Sequence, residues 1–284
     1  MSLSPDFVLH KRGSLWITVR RSLAEDSLLE NLADPDLLFG LPGCQIIKDQ
    51  RKIKVARIKL TIQGRATTVY LKRYNAFSWR YRIGSLFQSS GASRSLKGAA
   101  IATQSGVQTS HALAAVESRS WGMLTRSFFL SEEITRGKTA DSYWRDVLTT
   151  CSGKNSIRRR RIFLNSLGGL FALLHRKRLY HNDLKDANII VSAGDDEGEH
   201  LFLLDLEGIR ICRHLTIRRR VKNLVQLNRT FGRSLSATQK LYVLKSYLGC
   251  DFLDYDMRRL WVQRILKATR KGNLRSMRKV RRQA

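Results

Sequence analysis

The stretch LYHNDLKDANIIV, residues 179–191, contains His181, an Asp two residues later at 183 and an Asn five residues after that at 188, and it ends in an apolar run. Asp and Asn both favour turns, so the stretch could be no more than a capped turn between a helix and a strand. It could also be a rigid catalytic loop, in which apolar neighbours hold a carboxylate and an amide still. The residues on either side decide between these two interpretations.

The sequence around this stretch predicts a mainly helical region. Apolar residues recur at spacings of three and four between residues 156 and 177, which predicts an amphipathic helix before the stretch. A shorter helix is predicted at 141–148. Two strands, 188–192 and 201–206, follow and are joined by the acidic turn GDDEGE; Asp205 lies near the end of the second strand. Three further helices are predicted, at 218–231, 236–248 and 255–269.

The first half of the chain has the pattern of β-structure. Residues 53–62 and 67–74 are rich in β-branched and apolar residues and flank a glycine turn, which predicts a hairpin with Lys72 near its end. A helix is predicted at 93–105, and a second hairpin at 118–134. A β-rich region followed by a helical region, with a junction near residue 134, predicts an α+β fold with two lobes.

These residues together match the needs of phosphoryl transfer. That reaction requires a carboxylate to orient the hydroxyl acceptor, oxygen ligands for Mg²⁺ and a cation for the nucleotide phosphates. Asp183, Asn188 and Asp205 offer the carboxylate and the hard oxygen ligands, and Lys72 offers the cation. With Lys72 upstream and Asp205 downstream, the catalytic-loop interpretation is favoured over the capped turn.

The pattern H-x-D-L-x-x-x-N, followed by a strand, a turn and D-x-E-G, resembles the catalytic core of the protein-kinase-like superfamily. The finer resemblance is to the lipopolysaccharide kinase family, whose members phosphorylate Kdo or heptose in the inner core. It covers about residues 45–250. The matching stretches are YLKRYN (70–75), SGVQTSHALAAVE (105–117), SFFLSEEI (127–134), LYHNDLKDANIIV (179–191), LLDLEGIR (203–210) and RRRVKNLVQLNRTF (218–231).

The resemblance implies a protein-kinase-like fold, with an antiparallel-sheet N-lobe and a mainly helical C-lobe, and it implies ATP and Mg²⁺ as cofactors. It implies that Asp183 is the catalytic base, that Lys185 neutralises the transferring phosphoryl group and that His181 braces the loop. It implies that Asn188 and Asp205 bind Mg²⁺ and that Lys72 binds the nucleotide phosphates. The adenine-binding hinge would consist of Glu132, Glu133 and Ile134. Glu207 would be an auxiliary ligand or a structural residue.

Two features depart from the kinase pattern. The turn at residues 48–52, KDQRK, has no glycine, so its basic side chains either replace a glycine-rich phosphate loop by charge or are solvated turn residues. Furthermore, no Asp or Glu lies between Asp49 and Glu117, so the predicted helix 93–105 cannot supply the glutamate that pairs with the lysine in protein kinases. Lys72 would then be oriented by Asp205, by Glu117 or by the nucleotide phosphates alone.

Composition restricts the partners and the location. The net charge of +29 favours polyanions such as anionic lipid or nucleic acid. No secretory signal, membrane span or metal-binding cysteine spacing is present in the sequence. The basic residues beyond 266 could hold the chain at an anionic membrane, which predicts a peripheral protein at the inner face of the cytoplasmic membrane. RNA ranks second, because no RNA-binding signature is found.

We therefore predict four segments: an N-terminal extension at 1–39, an N-lobe at 40–134, a C-lobe at 135–266 and a basic tail at 267–284. The predicted activity is phosphorylation of a sugar hydroxyl in the lipopolysaccharide core or a lipid A precursor. The alternatives are an atypical kinase that acts on protein or near RNA, and an inactive, basic binding module. The oligomeric state and the acceptor hydroxyl do not follow from the sequence.

Overall fold

The computed structural model describes residues 5–76, 78–193 and 199–281. The chain divides into two compact units. The first unit comprises residues 1–101 and 109–134, and the second comprises residues 102–108 and 135–284. An antiparallel sheet dominates the first unit and helices dominate the second, which confirms the predicted α+β, kinase-like architecture.

The first unit is built on a seven-stranded antiparallel sheet in the order β1-β2-β6-β7-β5-β4-β3. Its strands are β1 (Phe7–Arg12), β2 (Leu15–Arg20), β3 (Gln45–Gln50), β4 (Ile53–Ile62), β5 (Arg65–Asn75), β6 (Ala112–Ser120) and β7 (Met123–Glu132). The helices are α1 (Asp26–Asn31), α2 (Trp79–Gly84) and α3 (Gly91–Gln104), the last turn of which belongs to the second unit. Both predicted hairpins are present as β4–β5 and β6–β7.

The N-terminal segment is part of this sheet. Residues 1–39 are predicted as an appended extension, yet β2 pairs with β6 over five residues, and Ile17 and Val19 are fully buried in the hydrophobic core of the first unit. In β2, LWITVR, the buried residues Ile17 and Val19 alternate with less buried ones, as in a half-buried strand. The segment therefore supplies core residues.

The second unit contains five helices and three small pairings of strands. Its elements are β8 (Lys138–Thr139), α4 (Ala140–Tyr143) continued by a π-helical turn to Leu148, α5 (Lys154–Arg176), β9 (Leu179–His181), β10 (Ile189–Ala193), β11 (Glu199–Leu203), β12 (Ile209–Ile211), α6 (Ile217–Arg229), α7 (Ala237–Leu248) and α8 (Tyr255–Arg281). Strand β10 pairs with β11 and β8, and β12 pairs with β9. The acidic turn predicted at 194–199 lies outside the described residues except for Glu199.

Close packing of helices shapes the second unit. The Cβ of any larger residue at Gly168 would lie 2.4 Å from the carbonyl oxygen of Val243, so a glycine lets α5 and α7 approach at this point. Four aromatic rings, Tyr143, Trp144, Phe163 and Phe231, pack with centroid distances of 5.7–6.0 Å and join α4, α5 and the end of α6. These contacts fix the helices that carry the candidate site.

The C-terminal helix is longer than the sequence predicts. Residues beyond 266 are predicted as a basic tail, but α8 continues unbroken to Arg281. Its second half lies against α6, where Asn228 donates to Thr269 at 3.1 Å and Arg229 donates to Asn273 at 3.0 Å. Within the part of the chain that is described, no helix is long and apolar enough to cross a membrane.

Candidate active site

The loop of residues 182–188 follows strand β9 and ends in a 3-10 turn. Strand β9 brings His181 to the start of the loop and pairs it with Ile209 of β12. The 3-10 turn Asp186–Asn188 then leads into β10, whose first residue, Ile189, is fully buried. Residues 179–191 therefore form a strand, a loop that carries the polar residues, and a second strand.

Asp183 and its neighbours form a compact polar cluster. The Lys185 ammonium lies 2.7 Å from a carboxylate oxygen of Asp183. The side-chain amide of Asn188 donates to the backbone oxygen of Asp183 at 2.7 Å and lies 3.5 Å from its carboxylate. Because the Asn188 nitrogen is engaged in this way, the amide oxygen is oriented away from the loop backbone and is available to a cation.

His181 braces the loop in its neutral form. Its Nδ1 accepts a hydrogen bond from the backbone N–H of Asp183 at 3.2 Å, so the ring proton is on Nε2 and is donated to the oxygen of Leu204 at 3.1 Å. Burial lowers the pKa of His181 below its ordinary value, which outweighs the opposite effect of the Asp205 and Asp183 carboxylates. A neutral imidazole can make both bonds at once, which is the bracing role the resemblance implies.

Asp205 lies where β11 gives way to a 3-10 turn, and it adopts a left-handed backbone conformation with φ of 56°. The residue before it, Leu204, donates its N–H to the oxygen of Asn188 at 2.9 Å. Gly208 follows closely, and its oxygen accepts the N–H of Asn182 at 3.1 Å. The turn that carries Asp205 is thus tied at both ends to the loop that carries Asp183 and Asn188.

The donor set fits a divalent cation. Mg²⁺ is usually held by one or two carboxylates together with substrate phosphates, and the Asn188 oxygen and the Asp205 carboxylate supply such a set. One oxygen of Glu207, two residues further on, is buried and has no hydrogen-bond partner among the described residues. A carboxylate oxygen withdrawn from water without a donor is costly, and a nearby cation would satisfy it.

Two residues of α6 form hydrogen bonds with the backbone at the start of the loop, and the sequence did not predict this role for them. Asn223 donates to the oxygen of His181 at 2.6 Å, and Gln226 donates to the oxygen of Asn182 at 2.5 Å. Gln226 also accepts the N–H of Leu184 at 3.3 Å. The only signal in the sequence is that Asn223 interrupts the apolar face of α6, between Val221 and Leu224.

A buried polar chain extends from Asn223 through three helices. His175 of α5 is hydrogen bonded to Asn223 at 3.3 Å and to the Tyr247 hydroxyl of α7 at 2.9 Å. Arg220 in turn donates to the Tyr247 hydroxyl at 2.7 Å and lies over the Trp261 ring of α8. Burial lowers the pKa of His175 to about 4, so this histidine is neutral at pH 7.

Lys72 lies on β5 in the first unit, on the face of the strand that α3 covers. Its ammonium is 4.9 Å from the centroid of the Tyr74 ring. The Tyr74 hydroxyl is hydrogen bonded to Ser95 of α3 at 2.8 Å in a buried setting. Protein kinases join this strand and helix by a lysine–glutamate pair. In this chain the hydrogen bond between Tyr74 and Ser95 joins the strand to the helix, and no pattern in the sequence indicates it.

Glu117, one of the residues considered as a partner of Lys72, is engaged elsewhere. Its carboxylate is 2.7 Å from Nη2 of Arg119 on the same strand. In the sheet, Glu117 pairs with Ser127, whereas Lys72 pairs with Phe129, two residues along β7. This geometry disfavours Glu117 as the residue that orients Lys72.

The predicted hinge, Glu132 to Ile134, ends the sheet of the first unit. The backbone N–H groups of Glu132 and Glu133 donate to His111 at 2.9 Å and to Thr68 at 3.0 Å, so neither is open to a nucleotide base. The Glu133 carboxylate forms two hydrogen bonds with Arg57, at 2.6 and 2.9 Å, and these lower its pKa. The N–H of Ile134 makes no hydrogen bond within the described part of the chain.

The structure therefore gathers His181, Asp183, Lys185 and Asn188 and ties them to the turn of Asp205, all within the second unit. Lys72 and the hinge residues lie in the first unit. The glycine-free turn between β3 and β4 is also in the first unit, and there Lys54 pairs with Asp49 at 3.3 Å.

Comparison with known proteins shows the fold and the family of the chain. The chain is similar in structure to WaaP in complex with acyl carrier protein, with a TM-score of 0.60 and 17% identity, over 86% of this chain and 97% of the other. No curated protein sequence matches the chain. The family model for lipopolysaccharide kinases (Kdo/WaaP) matches residues 81–247, more than half of the chain. The protein belongs to the lipopolysaccharide kinase (Kdo/WaaP) family and is a kinase, which implies the use of ATP.

Proposed function

We propose that this kinase uses ATP and Mg²⁺ to phosphorylate a sugar hydroxyl, on Kdo or heptose, of the lipopolysaccharide inner core. The observation that supports this proposal best is the polar cluster of Asp183, Lys185 and Asn188 on a loop braced by His181. Family membership supports a sugar as the acceptor. The inner core or a lipid A precursor would carry that sugar.

In the proposed reaction Asp183 orients the acceptor hydroxyl and accepts its proton as the oxygen attacks the γ-phosphorus of ATP. The bond from that phosphorus to the bridging oxygen of ADP breaks as the new bond forms. Lys185, now 2.7 Å from the Asp183 carboxylate, would neutralise negative charge on the transferring phosphoryl group. His181 positions the loop through its two hydrogen bonds.

The proposed nucleotide contacts are Lys72 and Ile134. We assign Lys72 to the phosphates and the free N–H of Ile134 to the adenine edge. Asn188 and Asp205 would hold the Mg²⁺, which neutralises phosphate charge when bound. The unsatisfied oxygen of Glu207 makes this residue a candidate to support the same ion.

The proposal is tested by ATP turnover with Mg²⁺, with and without Kdo-lipid A, in the wild type and in Asp183→Asn. Loss of a general base typically costs about 10²–10⁴-fold in rate, so we expect the glycolipid-stimulated turnover to fall by that amount. Asp186→Asn is the matched control, because Asp186 lies in the same loop and should leave turnover nearly unchanged.

The same assay distinguishes the alternatives. Turnover that is lost in Asp183→Asn but does not respond to glycolipid would keep the kinase and reject the sugar acceptor, which favours a protein or RNA-associated substrate. Absence of both turnover and ATP binding in the wild type would contradict the proposal and favour a basic binding module.

We propose further that the protein acts at the inner face of the cytoplasmic membrane, bound peripherally to anionic lipid. The first unit presents an aromatic patch. It consists of Trp79 at the start of α2, Leu86 and Phe87 just after its end, and Trp121 in the β6–β7 turn. Phe87 is 87% exposed and Trp121 is 93% exposed. Ser85 links the two parts, because its hydroxyl accepts the N–H of Leu124 at 2.8 Å.

Basic residues lie at the same end of the sheet as Trp121. The strand pairing brings the β1–β2 turn and the β3–β4 turn to the same end of the sheet as Trp121. Lys11 and Arg12 end β1 at the first turn, and Arg51 and Lys52 form the second. Exposed aromatic rings beside cations suit the interface of an anionic bilayer, where the rings enter the headgroup region.

An apolar cavity in the second unit supports a second binding function. The cavity has a volume of about 260 Å³ and lies between α6, α7 and α8. Its lining is almost wholly aliphatic and aromatic and includes Leu227, Phe231, Leu244 and Ile265. The similar solved structure contains WaaP with acyl carrier protein. We propose that this cavity accepts an acyl chain, presented by such a carrier.

The acyl proposal is tested with a tryptophan at the mouth of the cavity. Leu241 lines the cavity and is 41% exposed, so Leu241→Trp should block the cavity with little loss of stability. Binding of acylated carrier protein should weaken at least tenfold in this variant. Leu253→Trp, at an exposed position outside the lining, is the control; equal binding by both variants would contradict the proposal.

A further inference from the structure

Three cations converge on the ring of Tyr180, directly beside the catalytic loop. The distances to the ring centroid are 5.4 Å from Arg210, 5.6 Å from Arg219 and 5.5 Å from Lys222. Tyr180 itself is only 2% exposed, whereas the three basic residues are exposed at the surface. The ring therefore forms the floor of a basic cluster that faces solvent.

The cluster has no carboxylate to neutralise it. Within the described residues, none of the three cations forms an ion pair, and the sequence contains no Asp or Glu from residue 208 to residue 250. Because each cation lies within 5.6 Å of the same ring centroid, any two of them are at most about 11 Å apart. The Debye length at physiological ionic strength is about 8 Å, so screening reduces their repulsion without removing it. Contact with the ring stabilises each of the three cations. The cations still repel one another, and a bound anion would reduce that repulsion.

Two of the three side chains are held in place before any ligand binds. Arg210 donates to the side-chain oxygen of Asn182 at 3.2 Å, and Arg219 donates to the sulfur of Cys212 at 3.2 Å. Guanidinium groups fixed in this way lose little freedom when they bind an oxyanion, and their planar forks match carboxylate and phosphate oxygens. The cluster thus has the preorganisation of a binding site.

The basic cluster lies beside the loop that carries the proposed catalytic base. Arg210 pairs with Tyr180 across β12 and β9, and its guanidinium contacts Asn182, the residue immediately before the proposed base Asp183. A group bound to the cluster would therefore lie near the loop that carries Asp183.

We propose that Arg210, Arg219 and Lys222 form a subsite for an oxyanion carried by the acceptor, on the phosphorylated sugar or on its neighbour. This inference rests on the proposed function, since it assigns the subsite to the same acceptor. The oxyanion is either the carboxylate of a sugar acid such as Kdo or a phosphate already present on the core. Both make the same charge-assisted hydrogen bonds.

The direct test is binding to Asp183→Asn protein, which cannot complete transfer. The probes are Kdo, its methyl ester, which lacks the charge, and inorganic phosphate, each measured by calorimetry with and without Arg210→Gln/Arg219→Gln/Lys222→Gln. The matched control is Lys59→Gln/Arg65→Gln/Lys97→Gln, which removes the same charge from exposed positions of the first unit.

We expect the cluster variant to weaken binding of the charged probe at least tenfold and the control variant to change it less than twofold. Preference for Kdo over both its ester and phosphate would identify the carboxylate, and preference for phosphate would identify a phosphorylated core. Equal weakening in the cluster and control variants would overturn the subsite, because it would show only an effect of net charge.

Kinetics provide a second readout. In otherwise wild-type protein the cluster substitutions should raise the acceptor KM about tenfold and leave kcat and the ATP KM within about twofold. If the triple variant fails to fold, Lys222→Gln alone should give a smaller rise in the same direction, and no rise would overturn the proposal. Probe binding without any glycolipid turnover would reject the proposed function and keep the subsite.

Discussion

Asn223 connects the catalytic loop to the buried interior of the second unit. The side chain is 0% exposed and uses both ends of its amide, since the nitrogen donates to His181 and Gln226 and the oxygen is hydrogen bonded to His175. A buried polar group that loses such partners leaves them unsatisfied, which costs more than the hydrogen bonds contribute. Its role is to position the loop, not to touch the substrate.

Replacement of this amide gives a prediction at the scale of one residue. Asn223→Ala should lower the free energy of unfolding by about 2–4 kcal/mol, because several buried hydrogen bonds are lost. It should also lower kcat more than it raises the ATP KM, since the loop that carries Asp183 loses its support. Urea denaturation and steady-state kinetics measure the two effects.

Asn228→Ala on the same helix is the control for Asn223→Ala. Asn228 donates to Thr269 of α8, and within the described residues its side chain forms no hydrogen bond with the loop. This variant should lose stability but keep kcat, and an equal fall in kcat would show that the effect of Asn223 is merely structural.

For single residues, the sequence predicts which functional side chains share a loop when they are close together along the chain. His181, Asp183, Lys185 and Asn188 lie within eight residues, so their spacing alone indicates that they share one loop. The Tyr74–Ser95 bond and the Asn223–His181 bond join residues that are 21 and 42 apart. Periodicity indicates that such side chains face the interior but not which partner each one meets.

Helices α5, α6 and α7 meet at His175, and their association depends on the charge of that imidazole. Burial lowers the His175 pKa to about 4 from the ordinary 6.5, so between these values the unfolded chain binds more protons than the folded one. The free energy of unfolding should therefore be unaffected above pH 7 and fall as the pH drops, by about 2 kcal/mol at pH 5.

Urea denaturation at pH 7.5 and pH 5 measures this dependence, in the wild type and in His175→Gln. The variant keeps a polar side chain but cannot bind a proton in this range, so its stability should depend less on pH even if it is lower overall. A pH dependence identical to that of the wild type would refute the role of His175.

The second half of α8 contributes to the stability of the second unit through its contacts with α6. Arg229 donates to Asn273 and Ser276, and Asn228 donates to Thr269. Deletion of the residues after 266 should therefore lower the Tm by roughly 5–10 °C, on the basis of about 1 kcal/mol for each lost hydrogen bond.

The control for this deletion keeps the helix and removes its charge, by Gln at Lys267, Arg270, Lys271, Arg275 and Arg278. Its Tm should stay near that of the wild type, and an equal loss in both proteins would show that charge rather than packing is responsible. The sequence predicts a free basic tail here because Lys and Arg are equally compatible with solvent and with helix.

Considered as a whole molecule, the chain combines an excess of positive charge with aromatic side chains at one end of its sheet. Residues 50–116 contain twelve Lys or Arg and no Asp or Glu. The charge and its sign follow directly from the sequence, and so does the two-part order of β and α elements. The clustering of Phe87 with Trp121 does not, because it depends on which turns the sheet brings together.

Binding to vesicles tests this combination. The protein should cosediment with vesicles that contain phosphatidylglycerol and not with phosphatidylcholine alone, and added salt should weaken the binding. Phe87→Ser/Trp121→Ser should weaken it at least tenfold, since both exposed rings are removed. Leu37→Ser/Leu253→Ser, at similarly exposed positions, is the control; equal binding by the two variants would contradict a role for the patch.

The N-terminal hairpin of β1 and β2 has a consequence for aggregation. Strand β2 occupies one edge of β6 over residues 114–118. A protein shortened to begin at residue 40 would leave the backbone amides and carbonyls of that edge without partners, next to the apolar surface that Ile17 and Val19 cover. An unprotected edge of this kind is a template for a strand of another molecule, so the shortened protein should self-associate through β6, and a peptide of residues 7–20 supplied in trans should reverse it.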